Sequence, residues 1–131
     1  DCADKLCKNA RTATAILFGC GVGNSDEAYR LLCALIDNTS CPIVIDADGI
    51  NSLAPHINEL KDNTGRLILT PHIKEFSRLS GLDTDYILRH KLSCAKDFAV
   101  KYGVHVLLKD AYSVYAAPDG FIAVFENKYE R

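Results

Sequence analysis

No apolar stretch in the chain approaches the length of a membrane span, and residues 1–10 lack the apolar core of a signal peptide. Excess charge of one sign is missing as well. The chain has 15 Lys and Arg against 17 Asp and Glu, a formal net charge of −2 and no long basic run. Nucleic acid and anionic membranes are therefore not expected partners. There is no CxxC pair, which argues against a zinc knuckle, and no resident metal site is predicted, although the paired acids Asp46 and Asp48 could hold Mg²⁺. Neither GxGxxG nor the GxxxxGK[ST] phosphate loop occurs. Internal repeats and low-complexity linkers are absent too, so residues 1–131 are read as one unit.

What is present is ordinary globular composition: 48% of residues are apolar and 24% charged, in a length that suits one domain with a core. Cys2, Cys7, Cys20, Cys33, Cys41 and Cys94 make an even count. Several lie in apolar segments where a small hydrophobe would serve, and the alternating pattern is not that of a stapled secreted module. Reduced, structural cysteines and a cytoplasmic setting are expected. On that reading the glycosylation triplet Asn38-Thr39-Ser40 is accidental. The chain starts at Asp1 and stops at Arg131 just after an expected strand, so a central piece of a longer protein is expected.

Periodicity supplies the architecture. Residues 1–11 are polar and helix-compatible. Residues 12–18 read as a buried strand, and Gly19, Gly21 and Gly23 follow it. Asn24 or Ser25 can cap a helix carrying Ala28, Leu31, Leu32, Leu35 and Ile36, with Asp26 and Glu27 in its first turn. Pro42 opens the strand Ile43–Ile45, and a helix carrying Leu53 is expected after Asp48. Residues 66–69 form a third strand. Pro71 then suits the first turn of a helix with Thr70 as cap and Gly81 as stop. Asp83 or Thr84 caps a longer helix with Leu88, Leu92, Ala95 and Ala99 on its buried face, ending near Gly103. Residues 104–108 make a fourth strand. Tyr112–Ala116 and Phe121–Phe125 flank Pro118-Asp119-Gly120, a hairpin signal. Strands alternating with helices predict a mainly parallel α/β sheet covered on both faces, with the hairpin as an antiparallel edge.

Ligands of such sheets bind beyond the carboxyl ends of the strands. Here those ends are Gly19–Gly23, Asp46–Asn51, Thr70–Glu75 and Lys109–Ser113, all rich in Gly, Asp, His or Lys. Each has two readings. The glycine run is as much a tight strand-to-helix turn as a loop for an anion at a helix start. Asp48 and Asn51 read as helix caps, whereas Asp46 closes a buried strand and needs a partner. His72 stands where its ring can meet a ligand, or is a satisfied structural histidine. Lys109 can reach a phosphate as a mobile charge, or is simply solvated. His56, His90 and His105 have no companions at ligand spacing and read as structural.

Taken in order, FGCGVG, DADGIN, LTPHIKEFSRL and LKDAYSVYAAPDG resemble the NAD(P)H-hydrate dehydratase family across residues 14–127. The resemblance implies a ribokinase-like (Rossmann-like) three-layer α/β/α fold, of which residues 1–131 would be a partial domain. It also implies an enzyme of metabolite repair. A nucleotide, ATP or ADP with Mg²⁺, phosphorylates the added hydroxyl of NADH-hydrate or NADPH-hydrate, and loss of phosphate restores the nicotinamide. Gly21 and Gly23 would lie against the hydrate, with His72, Ile73, Lys74, Glu75, Phe76, Ser77 and Arg78. Lys109, Asp110, Ala111, Tyr112 and Ser113 would border the nucleotide, and Asp46 and Asn51 would shape the pocket. The catalytic aspartate of the family sits in a GTGD or GSGD segment, expected beyond residue 131. The chain alone would then be inactive. A homo-oligomer is compatible with the resemblance. The chain departs from the family pattern at Cys20 (usually Pro), Ile73-Lys74 (usually Pro-Gly) and Asp110 (usually Gly), and an acid beside a polyphosphate is repulsive unless Mg²⁺ intervenes. The competing readings are a ribokinase-like kinase of a vitamin or sugar, and a non-catalytic α/β binding module.

Overall fold

The computed structural model describes residues 13–19, 26–60 and 65–126. Six strands form one sheet in unbroken sequence order: β1 (Ile16–Phe18), β2 (Ile43–Ile45), β3 (Leu67–Leu69), β4 (His105–Leu108), β5 (Tyr112–Ala116) and β6 (Ile122–Glu126). β1 to β4 are parallel, and β5 and β6 add the expected antiparallel hairpin. Its turn is closed by the Gly120 N–H on the Ala117 carbonyl at 2.9 Å, with Gly120 at φ 95°, a conformation that glycine adopts without strain. The helices are α1 (Asp26–Asn38), α2 (Asp48–Leu53), α3 (Ile73–Ser80), α4 (Thr84–Arg89) and α5 (Lys91–Tyr102), with a 3₁₀ helix (Ala54–Glu59) continuing α2.

The described core is one-sided. Every strand residue in it belongs to a single face: Phe18, Ile43, Ile45, Leu67, Leu69, Val106, Leu108, Val114 and Ala116. Against them pack Leu32, Ile50, Leu53, Phe76, Ile87, Ala95 and Phe98 from the helices. Right-handed crossovers in a sheet whose strands keep sequence order carry each helix to the same face, which gives this result. The opposite face presents Val44, Ile68 and Leu107 half-buried and Leu17 72% exposed. Among the described residues only one helical layer is therefore present where two were expected. The apolar second face is where another layer would pack.

Three local expectations are corrected. Thr70 does not cap α3. His72 does, in extended backbone, with Pro71 lying before the cap and not in the first turn. Asp48 does not cap α2 either. Ala47 holds that position and Asp48 is the first helical residue. The long helix from Asp83 is two helices joined at His90 (φ −136°, ψ 43°). The His90 ring is the cause: Nδ1 meets the Tyr86 carbonyl at 3.0 Å, and the His90 N–H turns instead to the Ile87 carbonyl at 3.1 Å. A side chain competing for a helix carbonyl interrupts the ladder. The buried face also differs. Leu88 and Leu92 are 46% and 43% exposed, and Ile87, Lys91, Cys94, Ala95, Phe98 and Ala99 are buried.

Arg66, at the start of β3, ties down the end of α1, whose last turn has no basic residue of its own. Its guanidinium donates to the carbonyls of Ile36 (2.6 Å) and Cys41 (3.0 Å). That satisfies orphan groups at the negative pole of the helix. Cys33, Cys41 and Cys94 are free thiols, two of them buried, as expected of structural cysteines, while Cys2, Cys7 and Cys20 lie outside the described residues.

Packing of this kind is directly testable. Phe76 is fully buried, its ring centre 5.2 Å from that of Phe98 in an edge-on arrangement, whereas Phe125 is 52% exposed on β6. Phe76→Ala is expected to cost about 3–5 kcal/mol in urea unfolding, and Phe125→Ala under about 1 kcal/mol.

Candidate active site at the strand ends

The carboxyl ends of β1, β2, β3 and β4 meet at Asp46. Backbone bonds set the frame. The Asp46 N–H donates to the Phe18 carbonyl at 3.0 Å, the Thr70 N–H to Ile45 at 3.1 Å and the Lys109 N–H to Pro71 at 2.9 Å. His72 and Lys109 form a parallel bridge that extends the β3–β4 pairing past the strand ends. Gly19 admits no side chain because a Cβ there would collide with the Asp46 carbonyl. Only glycine lets β1 end this close to β2.

The partner that Asp46 requires is found on three elements. Its Oδ1 lies 3.4 Å from Lys109 Nζ and accepts the Ala47 N–H at 2.9 Å, with the Thr70 hydroxyl beside it. Burial alone would raise its pKa, but Thr70, Ala47 and Lys109 together hold the carboxyl below its ordinary value. Lys109 is thus neither fully solvated nor buried. Its side chain is 43% exposed and faces Asp46 across the β2 and β4 ends.

Ala47 is the one described non-glycine residue with positive φ (φ 48°, ψ −123°). The turn sends the chain straight from β2 into α2, where the Gly49 N–H returns to the Asp46 carbonyl at 2.9 Å. Strain of this sort is held in place by its surroundings and concentrates at functional sites. Asn51, one turn into α2, accepts from Arg78 Nη1 at 2.9 Å, and Asn51, Ala54, Pro55 and Arg78 line an open groove of about 640 Å³. The DADGIN and LTPHIKEFSRL segments, distant in sequence, therefore share one cleft.

His72 and Glu75 form a reciprocal capping box. The Glu75 N–H donates to His72 Nδ1 at 3.3 Å and the His72 N–H donates to Glu75 Oε1 at 3.1 Å. Nδ1 accepts here, and Nε2 lies 3.4 Å from Glu75 Oε2. Half of the ring stays exposed at the strand ends while Glu75 is buried beneath it. His72 is thus both a structural cap and an accessible ring.

The other expected site residues divide. Ile73 is half-buried, Lys74 is exposed and Phe76 is in the core. The Ser77 hydroxyl donates to the Leu82 carbonyl at 2.6 Å, so it turns towards the far end of α3. Asp110 and Tyr112 are gathered by Lys91 of α5, Ala111 is exposed and Ser113 is half-buried on β5. Gly21 and Gly23 lie outside the described residues. Sequence reading missed Lys91 altogether. Its signal was its position three residues before Cys94 and four before Ala95, on the face that proves to be buried.

The histidines read as structural have local partners. His105 Nδ1 lies 2.6 Å from the Tyr115 hydroxyl across β4 and β5. His56 stacks on Tyr29 at 3.9 Å and reaches Glu59 (3.1 Å) and Asp26 (3.3 Å). That clasp fixes the first turn of α1 against the 3₁₀ helix flanking the cleft.

The parallel strands, the helices on their crossovers and the charged strand ends define a ribokinase-like α/β domain. A ribokinase-like superfamily protein from Enterococcus faecalis shares the fold, with a TM-score of 0.76 at 21% identity over 92% of this chain and 42% of that one. The NAD(P)H-hydrate dehydratase family pattern matches residues 2–130, and the chain belongs to that family. It is 39% identical over 118 residues to a bifunctional NAD(P)H-hydrate repair enzyme of Salinibacter ruber, covering 89% of this chain and 21% of that protein. The ADP/ATP-dependent NAD(P)H-hydrate dehydratase of Bacillus subtilis, co-crystallised with ATP and Mg²⁺, superposes with a TM-score of 0.71 at 26% identity. That match covers 90% of this chain and 43% of that one. The chain thus spans under half the length of these relatives.

Two measurements test this geometry. Ala47→Gly should stabilise the chain by about 1 kcal/mol, since relief of the positive-φ strain outweighs the added unfolded-state freedom. An unchanged or lower unfolding midpoint would show that the turn is unstrained. For the clasp, Glu59 raises the His56 pKa above its ordinary 6.5, burial opposes this and Asp26 adds to the rise. A raised histidine contributes stability that is complete below about 6.5 and lost as pH climbs through the folded value. Wild-type stability should therefore fall from pH 6 to 8, and His56→Gln should flatten that part of the curve.

Proposed function

We propose that the protein carrying this chain is a nucleotide-dependent NAD(P)H-hydrate dehydratase. ATP or ADP with Mg²⁺ phosphorylates the hydroxyl of NADH-hydrate or NADPH-hydrate, and phosphate then leaves to regenerate the nicotinamide ring. The observation that carries this reading is the joining of the β2, β3 and β4 ends through Asp46, Thr70, His72 and Lys109, in a chain that follows the family pattern almost end to end. Lys109 suits a phosphate. It is a half-exposed ammonium held by a weak 3.4 Å contact to Asp46, which a more highly charged anion can displace. The described residues fit a metal that arrives with the nucleotide better than a resident one. Asp46 and Asp110 already face lysines, and no group of three metal-ligating side chains occurs among the described residues. Mg²⁺ commonly binds in this way, sharing its shell with phosphates and water. The metal would supply charge neutralisation on the transferred phosphoryl group.

The cleft of Asn51 and Arg78 and the half-exposed His72 ring at the β3 end are assigned to the hydrate. Asn51 holds the guanidinium, and the capping box fixes the ring. No helix among the described residues is long and apolar enough to cross a membrane. Free buried thiols at Cys41 and Cys94 favour a reducing compartment, and we assign the protein to the cytoplasm.

The test is a thermal-shift and calorimetric titration of the intact protein with Mg²⁺-ATP, Mg²⁺-ADP and NADPH-hydrate. Stabilisation by a nucleotide and by the hydrate is expected. Lys109→Ala should weaken nucleotide binding roughly tenfold, the order of one charge-assisted contact, while leaving the hydrate less affected. Nucleotide binding without hydrate binding would point to a ribokinase-like small-molecule kinase, and no binding at all to a non-catalytic module.

A further inference from the structure

Lys91 is the most unusual charge in the described residues. It opens α5, is 7% exposed, and places Nζ 2.6 Å from Asp110 Oδ2 and 3.8 Å from the centre of the Tyr112 ring. Each circumstance is unfavourable by itself. Burial removes an ammonium from water, and the N-terminal end of a helix repels a cation. The carboxylate and the ring face offset these costs. An apolar side chain of similar length would fill the same space, and replacing a buried ion pair in that way is often neutral or stabilising. Stability alone therefore does not account for a lysine here.

Its placement does. Asp110 follows Lys109 at the end of β4, and Tyr112 opens β5, so Lys91 grips both sides of the turn between these strands. We infer that the Lys91–Asp110 pair sets the charge beside Lys109 at the proposed nucleotide edge, making Lys91 a determinant of affinity for polyphosphates. With Lys91 in place the Asp110 carboxylate is neutralised from behind, and Lys109 is left to meet the phosphates. Without it, a negative charge would stand next to Lys109. The lysine on α5 thereby offsets the acid on the turn. The inference rests on the reading that residues 109–113 border a nucleotide.

The experiment measures dissociation constants of the intact protein for AMP, ADP and ATP at low and high salt. The proteins compared are wild type, Lys91→Met, Asp110→Asn and the double variant. Lys91→Met should weaken ATP on the order of tenfold, with the loss growing from AMP to ADP to ATP and shrinking in salt. The double variant should return close to wild type, and Asp110→Asn should bind at least as tightly as wild type. Should the methionine variant not fold, Lys91→Gln removes the charge while keeping a donor towards Asp110, and the same order is expected. Equal affinities across the folded variants, or a loss independent of phosphate number, would overturn the inference and leave the pair a structural staple. If wild type binds none of the three nucleotides, the nucleotide reading itself falls and takes this one with it.

Discussion

The strand-end arrangement depends on the environment of one carboxylate. Asp46 sits where a buried strand stops, so its charge has to be met by neighbours. They are the Thr70 hydroxyl from the end of β3, the Lys109 ammonium from the end of β4 and the N–H of Ala47 in its own turn. These groups are on three different elements, so satisfying Asp46 fixes the relative positions of β2, β3 and β4 at the edge where α/β sheets bind ligands. Gly19 completes the arrangement by letting β1 end against the Asp46 backbone. The positive φ of Ala47 turns the chain from β2 into α2, where the Gly49 N–H returns to the Asp46 carbonyl.

Charges at this edge are matched in pairs, Asp46 with Lys109 and Asp110 with Lys91, but the two pairs differ in firmness. Lys109 and Asp46 are 3.4 Å apart with about two-fifths of each side chain exposed, an arrangement an incoming anion can open. Lys91 and Asp110 are at 2.6 Å with the lysine buried. The loose pair is suited to exchange its partner and the tight pair to stay constant. A firm contact could not yield to phosphate, and a loose one could not silence an acid beside it.

Much of this was legible in the sequence. The alternation of strands and helices, the parallel-to-antiparallel change and the clustering of motifs at strand ends follow from periodicity and turn chemistry, and the blocks named the family. What escaped reading was decided by side chains acting out of type. Histidine is not an expected helix cap, so His72 lost that role to Thr70, although the glutamate of a capping box stood three residues on, at Glu75. At His90 a ring takes a carbonyl that periodicity assigns to the backbone, which ends one helix and begins another without Gly or Pro. Lys91 escaped reading because a lysine is not an expected core residue, whereas Leu88 and Leu92, assigned to the buried face, are exposed and Lys91 is buried.

The one-sided core bears on how the cleft works. The helices between the strands all pack on one face, so the described residues cover the sheet once and leave Leu17, Val44, Ile68 and Leu107 on the other side. The strand-end charges do not depend on that second side. Asp46, Thr70, His72, Lys109, Lys91 and Asp110 are held by bonds among themselves and to the helices already described. On the proposed reading the edge is preorganised, and a nucleotide would have to disturb only the weakest of these contacts, Lys109 with Asp46.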